Sequence, residues 1–432
     1  MNLSLTRDPI ENTRLLQKAL DKGGTIHVEG SGIYDVEGPL FIGSDTTLKF
    51  EEGIKIRRSS GGESKPFLLN RGIFTGEWNE RIHIEGLHLI VNGVDLSHHA
   101  VYSGLRGHLA FLKVRDLVIR DYECCNLLLL GYGLHICSFE NILLEKIHIE
   151  GDKDGIHLSD GRTFIIRDSI FRTYDDAIAL NAYDYCLSTA VYGDVEDGLI
   201  ENCHDLDGGD HKAAGYFCRM LGGSWQDWYE GMEVQNSTLA VHNGQLYSVC
   251  LPVPPQAAKV VSKTPPVHKF GIAYYDGIPW RHVREHRGDY EATCRRITCR
   301  NIRLGKPRIG FGFTFSWGIW AESVPEGLKM PVLEDLVFDG IHTECKVAAV
   351  LGGCFPAKNV KVSNSTLQGK ILLSQRYPKC RLEDHPVTDI TFSNVHIPQS
   401  GKEFFYETPE RGPFRITLID CSGEGFEGVP TE

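Results

Sequence analysis

The chain has 432 residues, 41% hydrophobic and 24% charged, with a formal net charge of −12. That composition describes a soluble globular protein and argues against wholesale binding to nucleic acid or an anionic membrane. No apolar run reaches the length of a membrane span, and "MNLSLTRDPIENT" lacks the basic start and apolar core of a signal peptide; the expectation is a cytoplasmic protein as written, or a secreted or periplasmic one if a leader was removed.

In chain order, the first predicted element is a helix. Pro9 opens an apolar pattern of Ile10, Leu15, Leu16, Ala19 and Leu20, and Gly23 with Gly24 stops it. Residues 1–24 are read as a helical cap over the open end of a repetitive β structure. Short β-rich segments recur after it, such as "RDLVIRDYECCNLLLL", "ENILLEKIHIEGDKDGIHL" and "RTFIIRDSIFRTYDDAIAL". Each carries a pattern close to I-x-I-x-(N/D/G)-x-x-(I/L/F). Asn141 to Thr163 spans 163 − 141 = 22 residues. A period in the twenties with almost no helical patterning predicts an all-β fold, a right-handed parallel β-helix with about three short strands per coil. Asn and Asp suit the corners because they tolerate left-handed backbone.

The pattern breaks at residues 224–262, where clustered aromatics, an "HNGQ" turn and a Pro-rich exit predict a small β insertion within one domain of 1–432. The next stretch, "HKFGIAYYDGIPWRHVREHRGDYEAT", reads as an elaborated loop. The 13 cysteines are irregularly spaced, which predicts reduced structural thiols rather than a disulfide or zinc framework.

Two acidic motifs stand out. "GDKDGIHL" places Asp154 in an Asp-Gly turn, and "YDDAIAL" places Asp175 and Asp176 one period later, 175 − 154 = 21 residues. One coil apart, these carboxylates stack at about 4.8 Å spacing, and such neighbours cannot all ionise freely. That supplies an acid beside a base, as glycosidic cleavage needs. The same residues also fit ordinary turn chemistry or a calcium site. For Asp175 and Asp176 to share a cleft, the chain must bend between them.

These motifs resemble glycoside hydrolase family 28, the polygalacturonase-like group. "DKDGIH" is similar to that family's N-T-D-G-x-D, "YDDAIAL" to its D-D motif, and "NTRLLQKALDKGGTIHVEG" to its opening coils. The resemblance implies inverting hydrolysis of a pectic or related oligosaccharide. Asp175 would be the general acid, with Asp154 and Asp176 positioning and deprotonating water across roughly 6.5–9.5 Å. Departures from the family are Lys153, His157 and Tyr174 beside the acids. No G-H-G comes after them, leaving His204 and His211, and only Arg219 survives of R-I-K. The insertion is similar to carbohydrate-binding modules of families 5 and 12 through Trp225, Trp228, Tyr229, Gly244 and Tyr247.

Candidate substrate-binding residues are His157, Asn181, Tyr183, Asp184, His211, Arg219 and Trp317, with Trp320 a second aromatic in the same stretch. The expected partner is an oligosaccharide or polysaccharide, with no cofactor, no metal, no nucleic acid and no membrane. The insertion and the loop after it suit exo-action by closing one end of a cleft. Two other readings remain open: a polysaccharide lyase or uronate-modifying enzyme, and a non-catalytic sugar-binding solenoid.

Overall fold

The computed structural model describes the chain apart from residues 60–64, 97–103, 207–214, 252–258, 306–310, 316–326, 329–330, 344–346, 354–356, 374–387, 399–404, 407–413 and 427–432. His211, Trp317 and Trp320 therefore lie outside the described residues. Helix among the described residues is confined to Pro9–Lys22, the single turn Gly72–Thr75 and the short 3-10 segment Glu424–Phe426. None is long and apolar enough to cross a membrane. Nearly everything else regular is strand.

The helix Pro9–Lys22 starts where the sequence places it. The Asp8 side chain accepts hydrogen bonds from the Ile10 and Glu11 amides at 2.9 and 3.1 Å, and Pro9 occupies the first turn, where no amide is needed. Leu16, Ala19 and Leu20 face inward, against the strands Gly32–Val36 and Leu40–Ile42. Gln17 holds Phe41 from both sides, accepting from its amide at 2.9 Å and donating to its carbonyl at 3.1 Å.

The main sheet consists of parallel ladders, each visited in chain order. The first ladder stacks Leu40–Ile42, Leu68–Asn70, the starts of Gly107–Leu127, Tyr132–Gly151 and Ile156–Arg167, then Ile178–Asn181 and Cys218–Leu221. A second takes the middles of the long strands together with Val195–Asp205 and Cys294–Leu304. A third takes their ends, with Ile170–Thr173. One passage through all three makes a tier. Leu134 pairs with Ile156 and Ile156 with Ile178, each step 22 residues (156 − 134 and 178 − 156).

A column of left-handed residues marks the corner between the second and third ladders. Asp121, Lys146, Asp168, Asn202, Asn301, Asn364, Asn394 and Asp420 all have φ between 50° and 54°. These are the N/D positions of the sequence pattern. Asn and Asp dominate because their short polar side chains tolerate this conformation. They also bond to one another from tier to tier. The Asn301 amide donates to Asn202 at 2.8 Å, and Asn202 donates to Asp168 at 3.0 Å. Inside, alternate residues pack as continuous stacks of Ile, Leu and Phe that are fully buried.

Between Leu221 and Cys294 the chain leaves the ladders. A separate five-stranded sheet forms from Gln226–Asp227, Leu239–His242, Gln245–Val249, Ile272–Tyr275 and Ile278–Glu285. The "HNGQ" turn is the hairpin between Leu239–His242 and Gln245–Val249, with Asn243 and Gly244 at positive φ. The stretch read as an elaborated loop instead contains a second hairpin, Ile272–Tyr275 with Ile278–Glu285, turning at Asp276 and Gly277. Its Asp-Gly pair carried that signal, masked by the surrounding His and Arg. Trp280 and Tyr247 are fully buried in this unit. None of the described cysteines is joined in a disulfide.

Candidate active site

The acidic motifs fall at the junction where the third ladder passes into the first. In two successive tiers the chain makes the same bend, at residues 152–155 and 174–177. The Thr173 hydroxyl donates to the Asp175 carbonyl at 3.0 Å and holds the second bend. Ladder bonds then fix the stacking, with the Gly155 amide donating to the Asp176 carbonyl at 2.8 Å. The register therefore aligns Asp154 with Asp176 at 176 − 154 = 22 residues, and Lys153 with Asp175. The 21-residue offset, read from the first Asp of the pair, was one short of the period. Gly215, in the next tier, is needed here: a Cβ on it would lie 2.3 Å from the Asp175 carbonyl carbon.

The bend brings all three acids together, each with an oxygen within 4.8 Å of the others. That is closer than the roughly 6.5–9.5 Å expected of an inverting acid–base pair. Asp154 and Asp176 are buried, while the Asp175 side chain keeps 29% of its surface. Asp175 is thus the carboxylate facing outward.

Cations interleave with these acids. Lys153 makes a close ion pair with Asp175 and lies 3.4 Å from Asp154. Arg219 Nε lies 2.8 Å from Asp176 Oδ2, although neither atom is aligned for a hydrogen bond. Asp176 Oδ1 accepts instead from the Tyr216 amide at 3.0 Å. Arg219 reaches this position because the register sets its Cα over Ala179, whose methyl leaves room. By distance the three carboxylates could hold a hard cation, but Lys153 and Arg219 already supply positive charge to these carboxylates.

Behind the acids lies a buried polar cluster. His157 Nδ1 faces Asp154 Oδ2 at 3.4 Å, and its Nε2 faces Asp184 Oδ2 at 3.4 Å. Asn181 Nδ2 lies 2.8 Å from His157 Nε2 and donates to Asp184 at 2.6 Å. With Asn181 donating to both, the neutral ring carries its proton on Nδ1, toward Asp154. The His135 and Tyr132 rings lie tilted against it, with centroids 4.8 and 4.5 Å away. Arg106, buried, lies over Tyr132 at 4.9 Å and bonds the Tyr185 hydroxyl.

This packing separates the protonation of the acids. Burial alone would raise Asp154, but Lys153, His157 and Arg219 overcome it and hold that carboxyl well below the usual range. For Asp176 burial prevails. Arg219 lowers it, Asp175 and Asp154 raise it, and the result is pushed up to about 7. Burial lowers His157, yet Asp154 and Asp184 together raise it above its ordinary value. Lys153 and Arg219 are both raised by their carboxylate neighbours despite burial.

The remaining predicted residues stand apart from a cleft. His157, Asn181 and Asp184 have no exposed surface and sit behind the acids rather than on a cleft wall. The Tyr183 ring is buried against Tyr192, and its hydroxyl donates to the Ser237 carbonyl at 2.9 Å. It has no open face for a sugar. His204 lies in the third ladder, paired with Ile170. Tyr174, next to Asp175, is 40% exposed. Lys153 and Arg106 were not among the candidates. Lys153 was findable, since it precedes Asp175 by the 22-residue period; Arg106, arriving from a separate tier, carried no such signal.

A groove of about 540 Å³ lined by His27, Glu29, Lys49, Glu51 and Glu85 lies on the N-terminal tiers, on residues distinct from the clustered acids. Opposed protonation and convergent charge coincide at the acids, not in this groove.

No protein-family model and no curated protein matches the chain. Solved structures do resemble it. The N-terminal fragment of gene product 12 of bacteriophage Phi29 is 13% identical over 97% of this chain, with a TM-score of 0.54. This chain covers 65% of that one, so it spans under two thirds of its length. The Azotobacter vinelandii mannuronan C-5 epimerase A-module is 12% identical, covering 97% of this chain and 94% of its own, at a TM-score of 0.48. The Erwinia carotovora polygalacturonase is 12% identical, covering 97% and 96%, at 0.45. At these identities the likeness to the phage fragment is one of fold, and the two looser ones carry no argument.

Proposed function

We propose that the tiers wind as a right-handed parallel β-helix, closed at the N-terminal end by the helix Pro9–Lys22. The insertion, 224–262 with the hairpin ending at Glu285, forms a wall beside the site. On this scaffold the protein is a carbohydrate-active enzyme that hydrolyses a glycosidic bond of an oligosaccharide. The observation that carries this reading is the opposed protonation of Asp154 and Asp176, with Asp175 open to solvent beside them.

In this reading Asp175 meets the glycosidic oxygen and relays to it the proton that Asp176 holds on the buried side. Asp154, held ionised by Lys153 and His157, orients and deprotonates water. General acid–base assistance of this kind supplies about 10²–10⁴-fold. Tyr174 offers the aromatic face for a sugar ring. Arg219 is committed to Asp176, which favours a neutral or weakly acidic sugar over a polyuronate clamped by that guanidinium. A lyase reading would need Lys153 or Arg219 as a base, and both are held as cations.

The test is a panel of defined plant-type oligosaccharides, with the first product's anomer read by NMR. Hydrolysis that is lost in Asp175→Asn supports the reading. Undiminished hydrolysis in that variant, or an unsaturated ultraviolet-absorbing product, overturns it.

A further inference from the structure

Outside the carboxylate site, a second set of chemistry-bearing side chains converges on the outer surface of the third ladder. Glu123 pairs in register with His148, and Cys124 with Ile149. Side chains two apart on a strand share a face, so Glu123 with Cys125, and His148 with Glu150, form a two-by-two patch. Donor atoms of Cys125, His148 and Glu150 all lie within 4.8 Å of one another. His148 Nε2 and Glu150 Oε1 are 2.6 Å apart, and Cys125 Sγ is 3.7 Å from Glu123 Oε1.

The backbone here is irregular in a way that serves this convergence. The register slips between Cys124 and Leu127, so two residues on one strand oppose Glu150 on the next. Asn126 takes φ 66° to make the bulge. A bulge re-aims the side chain beside it, here Cys125. All three side chains are half-buried, not free in solvent.

We infer that Cys125, His148 and Glu150 form a divalent transition-metal site, with Glu123 placed as the fourth ligand. A mixed sulfur, nitrogen and oxygen donor set suits Zn²⁺ and its spectroscopic substitute Co²⁺, and does not suit Mg²⁺ or Ca²⁺. Tetrahedral bonds of about 2.0–2.3 Å space ligand atoms about 3.5 Å apart. The three donor atoms lie within 4.8 Å of one another and His148 Nε2 and Glu150 Oε1 only 2.6 Å apart, so binding parts that pair while it gathers the sulfur to them. On binding, the Cys125 thiol loses its proton to solvent as the sulfur–metal bond forms, and the metal takes no electrons. Two neighbours bear on the charge. Arg172 donates to Glu150 Oε2 at 3.2 Å, leaving Oε1 toward the site, and His88 Nδ1 lies 3.7 Å from Glu123 Oε2.

The full chain is titrated with Co²⁺, following thiolate-to-cobalt charge transfer in the near ultraviolet. Saturation at one equivalent is expected, and Zn²⁺ should bleach the band. Cys125→Ser should abolish it, and His148→Ala should weaken Co²⁺ binding at least tenfold. Cys421→Ser, on a distant tier, should leave it unchanged. Circular dichroism verifies folding of each variant, and Zn²⁺ should raise the melting temperature of the wild type but not of Cys125→Ser. A wild type without the band, or a band that survives in Cys125→Ser, overturns the inference.

Discussion

Asp176 and Arg219 sit one tier apart, with 2.8 Å between Oδ2 and Nε. The carboxylate is wholly buried, yet it takes its hydrogen bond from the Tyr216 amide rather than from the guanidinium. The pair balances charge without locking geometry, which leaves the Asp176 proton exchangeable. Replacing Arg219 by Met removes that balance. Breaking a buried pair costs about 3–5 kcal/mol when the remaining charge persists. Asp176 can escape by holding its proton, so the loss should be small at pH 5 and large at pH 8. Urea melts at both values measure this, and an equal loss at the two would contradict it.

Stability of the wild type should peak in mildly acidic solution. Asp154 is lowered, so its contribution is present above its unfolded value of 3.8 and fades as pH falls below that. Asp176 is raised, so its burial becomes a growing cost as pH climbs from 3.8 through about 7. His157 is raised, so its contribution is whole below 6.5 and fades as pH rises through its folded value. Together they place the maximum near pH 4, with a steady decline from there to about pH 7. Denaturation midpoints across pH 3–9 would reveal a maximum elsewhere.

Asp175→Asn should lower turnover by about 10²–10⁴. Its side chain is partly exposed and its backbone bend is held by Thr173, so the melting temperature should change little. Asp176→Asn should also lose activity, and should flatten the decline of activity above pH 7. An Asp176→Asn profile that still falls there would assign that limb to another group.

Gly215→Ala should damage the site without touching a charge. The added methyl meets the Asp175 carbonyl carbon at 2.3 Å and the Asp176 nitrogen at 2.5 Å, and overpacking of this kind costs about 1–3 kcal/mol. Turnover should fall further than stability, because the displaced backbone carries both acids. Kinetics and thermal melts on the same preparation separate the two.

Asn301→Val should cost about 1–2 kcal/mol. Valine at φ 51° is strained, and the amide bond to Asn202 disappears. Asn301→Gly should recover most of the strain. Urea midpoints of the two variants would test that order.

The sequence showed the strand character, the N-terminal helix and the corner residues, because each depends on local periodicity and backbone preference. Asp154, Asp175 and Asp176 were legible as neighbours because one period separates the two motifs. What stayed hidden depends on side-chain direction. His157, Asn181 and Asp184 each lie a few residues after one of the acidic motifs but point behind the acids, into a cluster with Arg106 that no local pattern predicts. Tyr183 looked like a cleft aromatic by position, yet the ring turns inward toward Tyr192. The hairpin Ile272–Glu285 was hidden by composition, since its Asp-Gly turn lies among histidines and arginines that read as loop.

The left-handed column at the second corner has a counting consequence. Across that corner only one or two residues separate the paired positions in the described tiers, as at 120–123, 145–148, 167–170 and 300–302. The other two junctions vary widely, from the 152–155 bend to the long excursion between Leu221 and Cys294. One edge of the stack therefore works as a ruler that keeps every tier in step. The opposite side is released from that arithmetic, and the clustered acids, the cations and the extra sheet all stand there.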